Sequence, residues 1–288
     1  MTIHEFSKKT TQILQPLYDE REAAAIAKVY LQERLQLPAY ELALCGRREL
    51  SPTQVRQFNE DLAKMSQGCP VQYVLGTAEF YGRPFDVTPA TLIPRPETEE
   101  LVQRIVQECQ SEHQIERPVI WDVGTGSGCI AITLALEIPG VTVFATDISE
   151  KALEVARCNA EKLGAKVAFA LHDMRDVEHL PFREQRFDYI VSNPPYIPMS
   201  VREQMHSNVK DYEPAGALFV PDERPLVFYE ALADIATRVL KSGSHCHCET
   251  YEDFHEQLVD MFRNKGFHSV ETFLDINGKF RGISAQTK

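Results

Sequence analysis

Apolar positions change spacing along this chain in a way that marks out its parts. AAAIAKVYLQERL, from Ala23 to Leu35, repeats apolar residues at roughly helical spacing. Ser51-Pro52 followed by TQVRQFNEDLAKM fits an N-cap, a proline in the first turn and then a helix. The stretch up to about residue 68 therefore predicts a small helical bundle, either a packing module or a substrate-docking one. Residues 69–96, CPVQYVLGTAEFYGRPFDVTPATLIPRP, alternate aromatic and β-branched residues around Tyr81-Gly82-Arg83-Pro84 and predict a β-hairpin linker. Beyond it lie four short apolar blocks, VIWDV, TVFAT, VAFAL and DYIVS, that read as strands. Helical segments near 128–138 and 149–163 separate the first three, while the connection from VAFAL to DYIVS carries no clear pattern. Such alternation predicts an α/β unit, a largely parallel sheet with helices on both faces. The expected organisation is a helical domain over 1–76, a hairpin linker over 77–96 and an α/β domain over 97–288.

Bulk properties narrow the function classes. A length of 288 residues suits two domains. No run of about 18 apolar residues predicts a membrane span, and the first 20 residues lack the apolar core and cleavage site of a signal peptide. The expected location is the cytoplasm. Seven cysteines, an odd number mostly set singly among apolar residues, predict reduced thiols. Cys246-His247-Cys248 lies in an apparent strand with no second ligand pair at finger-like spacing, so it reads as two core cysteines on one strand face, and no metal site is predicted. The net charge of −12 is uneven. Residues 1–76 hold 9 basic and 9 acidic side chains, whereas 77–288 hold 21 and 33. An acidic second part weighs against nucleic acid as the main substrate, since displacing phosphate counterions needs a basic surface.

The strand VIWDV runs into Gly124-Thr125-Gly126-Ser127-Gly128 and then an apolar helix. Glycines there allow a tight turn and close approach of backbone to a ligand, in the crevice at the sheet's carboxyl edge. The spacing is G-x-G-x-G rather than G-x-G-x-x-G, and Asp122 precedes it. A carboxylate there is awkward for a pyrophosphate but suits an ammonium and a sulfonium. Asp-x-Gly-x-Gly-x-Gly resembles motif I of class I methyltransferases, which implies a Rossmann-like, mostly parallel sheet and S-adenosylmethionine as cofactor. Asp147 ends the second strand about 20 residues past the glycines, where an acid binds ribose hydroxyls. It could instead cap the following helix, although Ser149 is the better cap. The third strand ends in Leu171-His172-Asp173-Met174. In similar methyltransferases this position borders adenine, Asp173 accepting from the amino group and Met174 covering the ring. Met174 could equally fill the core.

The fourth strand runs into Asn193-Pro194-Pro195-Tyr196. This resembles the Asn-Pro-Pro-Tyr motif of methyltransferases acting on amino groups conjugated to a π system. An amide nitrogen is planar and a poor nucleophile because its lone pair is shared with the carbonyl. Its two hydrogens each want an acceptor, and the Asn193 side-chain oxygen and the Pro194 carbonyl can supply them. Fixed acceptors stabilise the charge that develops on nitrogen and aim the lone pair at the methyl carbon. The prolines hold their predecessors extended, and Tyr196 offers a flat face to a planar group. Asn193 sits where it would also border the cofactor. Taken alone, the tetrapeptide also fits a rigid turn.

The match then widens. PVQYVLG at Pro70–Gly76, TLIPRPETEELV at Thr91–Val102, DVGTGSGCIAITLA at Asp122–Ala135, ATDIS at Ala145–Ser149, VSNPPYIP at Val191–Pro198 and Tyr212-Glu213-Pro214 all resemble the protein-(glutamine-N5) methyltransferase family known as PrmC or HemK. The resemblance covers nearly the whole chain. It implies a small N-terminal helical domain, a hairpin, and a catalytic domain acting on the glutamine of the Gly-Gly-Gln loop in bacterial peptide-chain release factors. Asn193 and Pro194 would bind the amide, Pro195 and Tyr196 would line it, and the Arg95–Glu99 loop would border it. Arg95 and Glu99 could instead form an ion pair and helix cap. Two segments depart from the family pattern: the expected turn at Lys241-Ser242-Gly243-Ser244, and Glu249-Thr250-Tyr251. The other readings are amino-group methylation of nucleic acid and a non-catalytic binding module.

Overall fold

The computed structural model describes residues 1–111, 116–275 and 278–288. They form two compact units, one of residues 1–77 with 206–212, the other of 78–205 with 213–288.

In the first unit, α1 (Ile3–Leu14) begins at a Thr2–Glu5 capping box and buries Ile3, Phe6 and Leu14. It is followed by α2 (Glu20–Leu35), α3 (Ala39–Leu44), α4 (Pro52–Met65) and α5 (Val71–Leu75). Ser51 caps α4 and Pro52 occupies its first turn, as the sequence predicts. Phe6, Tyr30 and Phe58 form the aromatic centre of the bundle, with edge-on contacts of Phe58 to Phe6 and Tyr30 at 5.3 and 5.4 Å. Because α5 is helical, the hairpin expected from residue 69 starts only at residue 77. Val71 and Val74 turn inward onto the bundle core, and that burial outweighs their strand preference.

A hairpin follows, β1 (Thr77–Phe80) and β2 (Arg83–Asp86), which belongs to the second unit from Ala78 on. Tyr81 and Gly82 both take positive φ, 52° and 70°, as a two-residue hairpin turn requires. Then come α6 (Pro96–Ser111), β3 (Val119–Val123), α7 (Cys129–Glu137), β4 (Thr142–Asp147), α8 (Glu150–Leu163), β5 (Val167–Leu171), β6 (Phe187–Ser192) and β7 (Ile197–Pro198). The one-turn α9 (Ser207–Lys210) belongs with the first unit. There His206 stacks on Tyr18, and the Tyr212 hydroxyl donates to the Gln67 carbonyl at 2.9 Å. The chain continues through α10 (Ala215–Leu218), β8 (Phe219–Val220), α11 (Val227–Val239), β9 (Leu240–Glu249), α12 (His255–Asn264), β10 (Ser269–Leu274) and β11 (Phe280–Gln286).

Seven strands form one sheet in the order β10-β11-β9-β6-β3-β4-β5. The run from β9 to β5 is parallel, and β10 and β11 are antiparallel at one edge. Side chains alternate across it. Trp121, Val123, Ile190, Cys246 and Cys248 pack against α11 and α12, while Ile120, Tyr189 and Val191 pack against α6 and α7. The two cysteines are core residues on one strand face, and all seven are free thiols. The turn expected at 241–244 is instead a bulge inside β9. The register against β6 slips there, and Gly243 takes φ 75°.

Candidate active site

Parallel register puts the ends of β6, β3, β4 and β5 side by side, because each strand's carboxyl tip must lie beside its neighbour's. Asp122 pairs with Val191 and with Ala145, so the loop after β3 lies between the tips of β6 and β4. The Ser192 hydroxyl donates to the Val123 carbonyl at 2.5 Å and pins Asn193-Pro194 beside the glycine loop.

Within that loop Gly124, Gly126 and Gly128 all take positive φ. A Cβ on Gly126 would meet nothing within 4 Å and one on Gly124 only the Ser192 hydroxyl, which leaves the loop's open side free for a ligand. A Cβ on Gly128 would strike Ile132 at 2.8 Å and Ala156 at 3.1 Å, so this glycine serves packing against α8. Thr125 and Ser127 are buried, 4% and 2% exposed, so the open part of the loop is Gly124 and Gly126. Beneath the loop the fully buried Asp122 accepts from the Thr125 hydroxyl at 2.6 Å and the Ala131 N–H at 3.2 Å, both through Oδ2. Its Oδ1 is buried with no protein partner. Burial pushes its pKa up to about 7, against the pull of those two donors, because an ionised carboxylate is poorly solvated there. An unpaired buried oxygen beneath an open glycine cradle fits a cofactor that brings an ammonium group.

At the tip of β4, Asp147 accepts from the Gly126 N–H through Oδ2 and the Ser149 N–H through Oδ1, each at 2.8 Å. Ser149 caps α8, leaving the Asp147 carboxylate half-buried at the mouth of the crevice. After β5, Asp173 is held in a two-pronged pair by Arg175, which lowers its pKa. Met174 lies in the core at 8% exposure, so little of its side chain remains to cover a ring.

A second group of contacts centres on Asn193. Its Nδ2 donates to Thr98 Oγ1 at 3.2 Å, and the Thr98 hydroxyl donates to Glu249 Oε2 at 2.6 Å. The Tyr196 hydroxyl donates to Glu249 Oε1 at 2.8 Å. Glu249, at the end of β9, is 3% exposed. Burial raises its pKa, opposed by the Thr98 and Tyr196 hydroxyls and by the charge of Arg281. Desolvation and this carboxylate together hold the Tyr196 phenol well above its ordinary pKa.

Arg95 and Glu99 do not pair with each other. The Arg95 guanidinium binds Glu213, which is 5% exposed and also accepts from the Ile93 N–H at 3.1 Å. Glu99 accepts from the Tyr81 N–H at 2.9 Å and braces the hairpin turn. Burial decides the difference, because the turn N–H and the buried Glu213 each need a partner and solvent supplies neither. Elsewhere, Glu108, His245 and His247 cluster with ligand-type atoms within 4.8 Å of one another, but Arg104 binds Glu108 at 3.0 Å and its charge opposes a metal cation there.

Against known families, residues 117–280 match a family described as "Methyltransferase domain", and residues 5–76 match "PrmC N-terminal domain". A protein of Flavobacterium psychrophilum named release factor glutamine methyltransferase is 37% identical over 283 residues, 98% of each chain. One of the same name from Bacteroides thetaiotaomicron is 37% identical, covering 95% of this chain and 96% of its own. The chain belongs to the release factor glutamine methyltransferase family.

It is a methyltransferase that takes S-adenosylmethionine as cofactor. Solved structures agree on the fold. The hMettl16 catalytic domain, solved with an RNA hairpin, has a TM-score of 0.57 at 16% identity, covering 79% of this chain and 80% of that one. The T. thermophilus 16S rRNA N2 G1207 methyltransferase, solved with AdoMet and guanosine, has a TM-score of 0.52 at 19% identity, covering 74% of this chain and 50% of that one. Within the family frame, sequence reasoning missed the supporting roles of Thr98, Glu213 and Glu249. The signal was present: Thr98 and Glu213 lie in segments that carry the resemblance, and Glu249 begins the segment read only as a departure from it.

Proposed function

We propose that this enzyme transfers the methyl group of S-adenosylmethionine to the side-chain amide nitrogen of a glutamine, that of the Gly-Gly-Gln loop in peptide-chain release factors. The bound cofactor supplies an electrophilic methyl on sulfonium. Asp147 holds its ribose, the backbone of Gly124–Gly128 its amino-acid end, and the Asp122 carboxylate the positive charge there. The half-buried Asp173 is the acceptor for the adenine amino group, exchanging its Arg175 pair for that role.

Asn193 Oδ1 and the Pro194 carbonyl each accept one hydrogen of the substrate amide. Two fixed acceptors favour a pyramidal nitrogen and stabilise its developing charge, and they cost no reorganisation during reaction. Tyr196, its hydroxyl tied to Glu249, presents its ring to the amide, and Pro195 keeps the segment extended. No strong base is required, because the methylated nitrogen cation is acidic.

The observation that carries this reading is the placement of Asn193 and Pro194, at the tip of β6, directly beside the open glycine loop at the tip of β3. The names of the relatives supply the substrate class, and the acidic balance of residues 77–288 weighs against nucleic acid. Among the described residues no helix is long and apolar enough to cross a membrane. The decisive test is intact and peptide mass measurement of release factor after incubation with enzyme and cofactor, with total RNA and DNA as parallel acceptors. One added methyl on the loop glutamine is expected. Methylation confined to nucleic acid would overturn the assignment.

A further inference from the structure

We infer that Thr98 and Glu249 are positioning residues that set which end of the Asn193 amide meets the substrate. The inference rests on the reading of Asn193 as acceptor for the substrate NH2. An ionised carboxylate can only accept hydrogen bonds. Glu249 Oε2 therefore takes the single hydroxyl proton of Thr98, at 2.6 Å, and Oε1 takes that of Tyr196, at 2.8 Å. With its proton committed, Thr98 Oγ1 can only accept along its 3.2 Å contact with Asn193. The Asn193 atom facing it must then be Nδ2, which leaves Oδ1 at the opposite end of the planar amide, turned away from Thr98. Proton logic fixes this orientation, since oxygen and nitrogen of an amide are otherwise nearly interchangeable in shape.

Burial makes the arrangement rigid. Thr98 is 2% and Glu249 3% exposed, so water does not readily substitute for either partner. Glu249 is held in turn: the Tyr229 hydroxyl donates to its main-chain carbonyl at 3.1 Å, and while burial raises its pKa, the Thr98 and Tyr196 hydroxyls and the charge of Arg281 oppose that rise. One carboxylate thus orients both the acceptor amide and the ring of Tyr196. Replacing it with an amide would break the logic. In Glu249→Gln the new NH2 group would point a donor at one of the two hydroxyls, and a Thr98 freed to point its proton at Asn193 would turn the NH2 end of that amide toward the substrate.

The test compares Asn193→Ala, Thr98→Val, Thr98→Ser and Glu249→Gln in one release-factor methylation assay, with melting temperature and cofactor affinity measured alongside. Thr98→Val keeps the shape but removes the hydroxyl. It is expected to lower kcat by roughly 10- to 100-fold, the range for a buried hydrogen bond to a charged group, with cofactor affinity within about threefold of wild type. Thr98→Ser restores the hydroxyl and is expected to recover most of the rate. Glu249→Gln should lower kcat similarly with its melting point preserved, and it carries the test if the valine variant does not fold. The Thr98→Val/Glu249→Gln pair should be no slower than the worse single variant, because both cut one path. Wild-type kcat in a folded Thr98→Val or Glu249→Gln, alongside an inactive Asn193→Ala, would overturn the relay and leave the acceptor reading intact. Near-wild-type turnover in Asn193→Ala would instead sink the acceptor reading beneath it.

Discussion

Two buried carboxylates sit at the carboxyl edge of the same sheet, and they are furnished in opposite ways. Asp122, under the glycine loop, has one oxygen engaged and one without a partner, and its pKa rises to about 7. Glu249, at the tip of β9, is also raised in pKa by burial, but it has both oxygens engaged by hydroxyls, which with the charge of Arg281 oppose that rise. A carboxylate left half-satisfied is a place for a cation to arrive, whereas a fully satisfied one fixes its neighbours. On the proposed assignment of roles, the cofactor end of the site is built to be completed by its ligand, and the acceptor end is already complete. Loss of a group from the acceptor end should show in kcat, and loss from the cofactor end in cofactor affinity.

The largest effect should come from Asn193→Ala. Removing one preorganised acceptor costs on the order of 10²- to 10³-fold in kcat, by analogy with loss of one oxyanion-hole donor. Steady-state kinetics should show that loss with cofactor affinity and melting temperature little changed. A comparable loss of cofactor binding would erase the contrast between the two ends. Next, Asp147→Ala should weaken cofactor binding by about 10- to 100-fold, as expected for lost charge-assisted hydrogen bonds. Calorimetric titration of cofactor and of release factor would show whether the release-factor affinity is spared.

A smaller effect concerns stability and pH. The folded-state pKa of Asp122 lies above its unfolded value of 3.8. The folded protein thus binds the proton more tightly than the unfolded chain. Stability is lost as pH rises from about 4 to about 7, and the cost, on the order of 4 kcal/mol at most, is constant above that. Asp122→Asn keeps an acceptor for Thr125 and Ala131 and removes the charge, so it should raise the melting temperature of the cofactor-free enzyme at pH 8. The gain should shrink toward zero near pH 4. A gain that does not change with pH would mean that charge is not its cause. The cofactor should stabilise the wild type more than this variant at pH 8, because its ammonium offsets the buried charge. The smallest effect should be that of Met174→Leu, a volume-conserving core change worth less than about 1.5 kcal/mol. A large loss of cofactor affinity there would return Met174 to the adenine site.

Much of this site was legible because its chemistry is carried by short contiguous segments. Asp122 to Gly128 and Asn193 to Tyr196 each combine strand, turn and reactive group within a few residues, and the β3, β5 and β6 blocks read as strands without any knowledge of their pairing. The helices α4 and α8 were equally plain, since Ser51 and Ser149 announce their starts. What failed did so for want of long-range partners. Arg95 and Glu99 stand one helical turn apart and suggest each other, yet Glu213, more than a hundred residues on, takes the arginine, and the Tyr81 turn takes the glutamate. The short α5 was hidden by its valines, whose burial in the bundle overrides local preference.

By itself the sequence determined the two kinds of unit, the glycine-rich turn from strand to helix, the Asn-Pro-Pro-Tyr segment that ends a strand, and the family. These are local matters of periodicity, turn chemistry and residue type. Only the tertiary structure decided that β6 lies beside β3, that residues 206–212 join the helical unit, and that Thr98 and Glu249 stand behind Asn193. Strand order and burial are set by the packing of the whole chain, and a hydrogen bond between residues 98 and 249 leaves no periodic trace in the sequence that makes it.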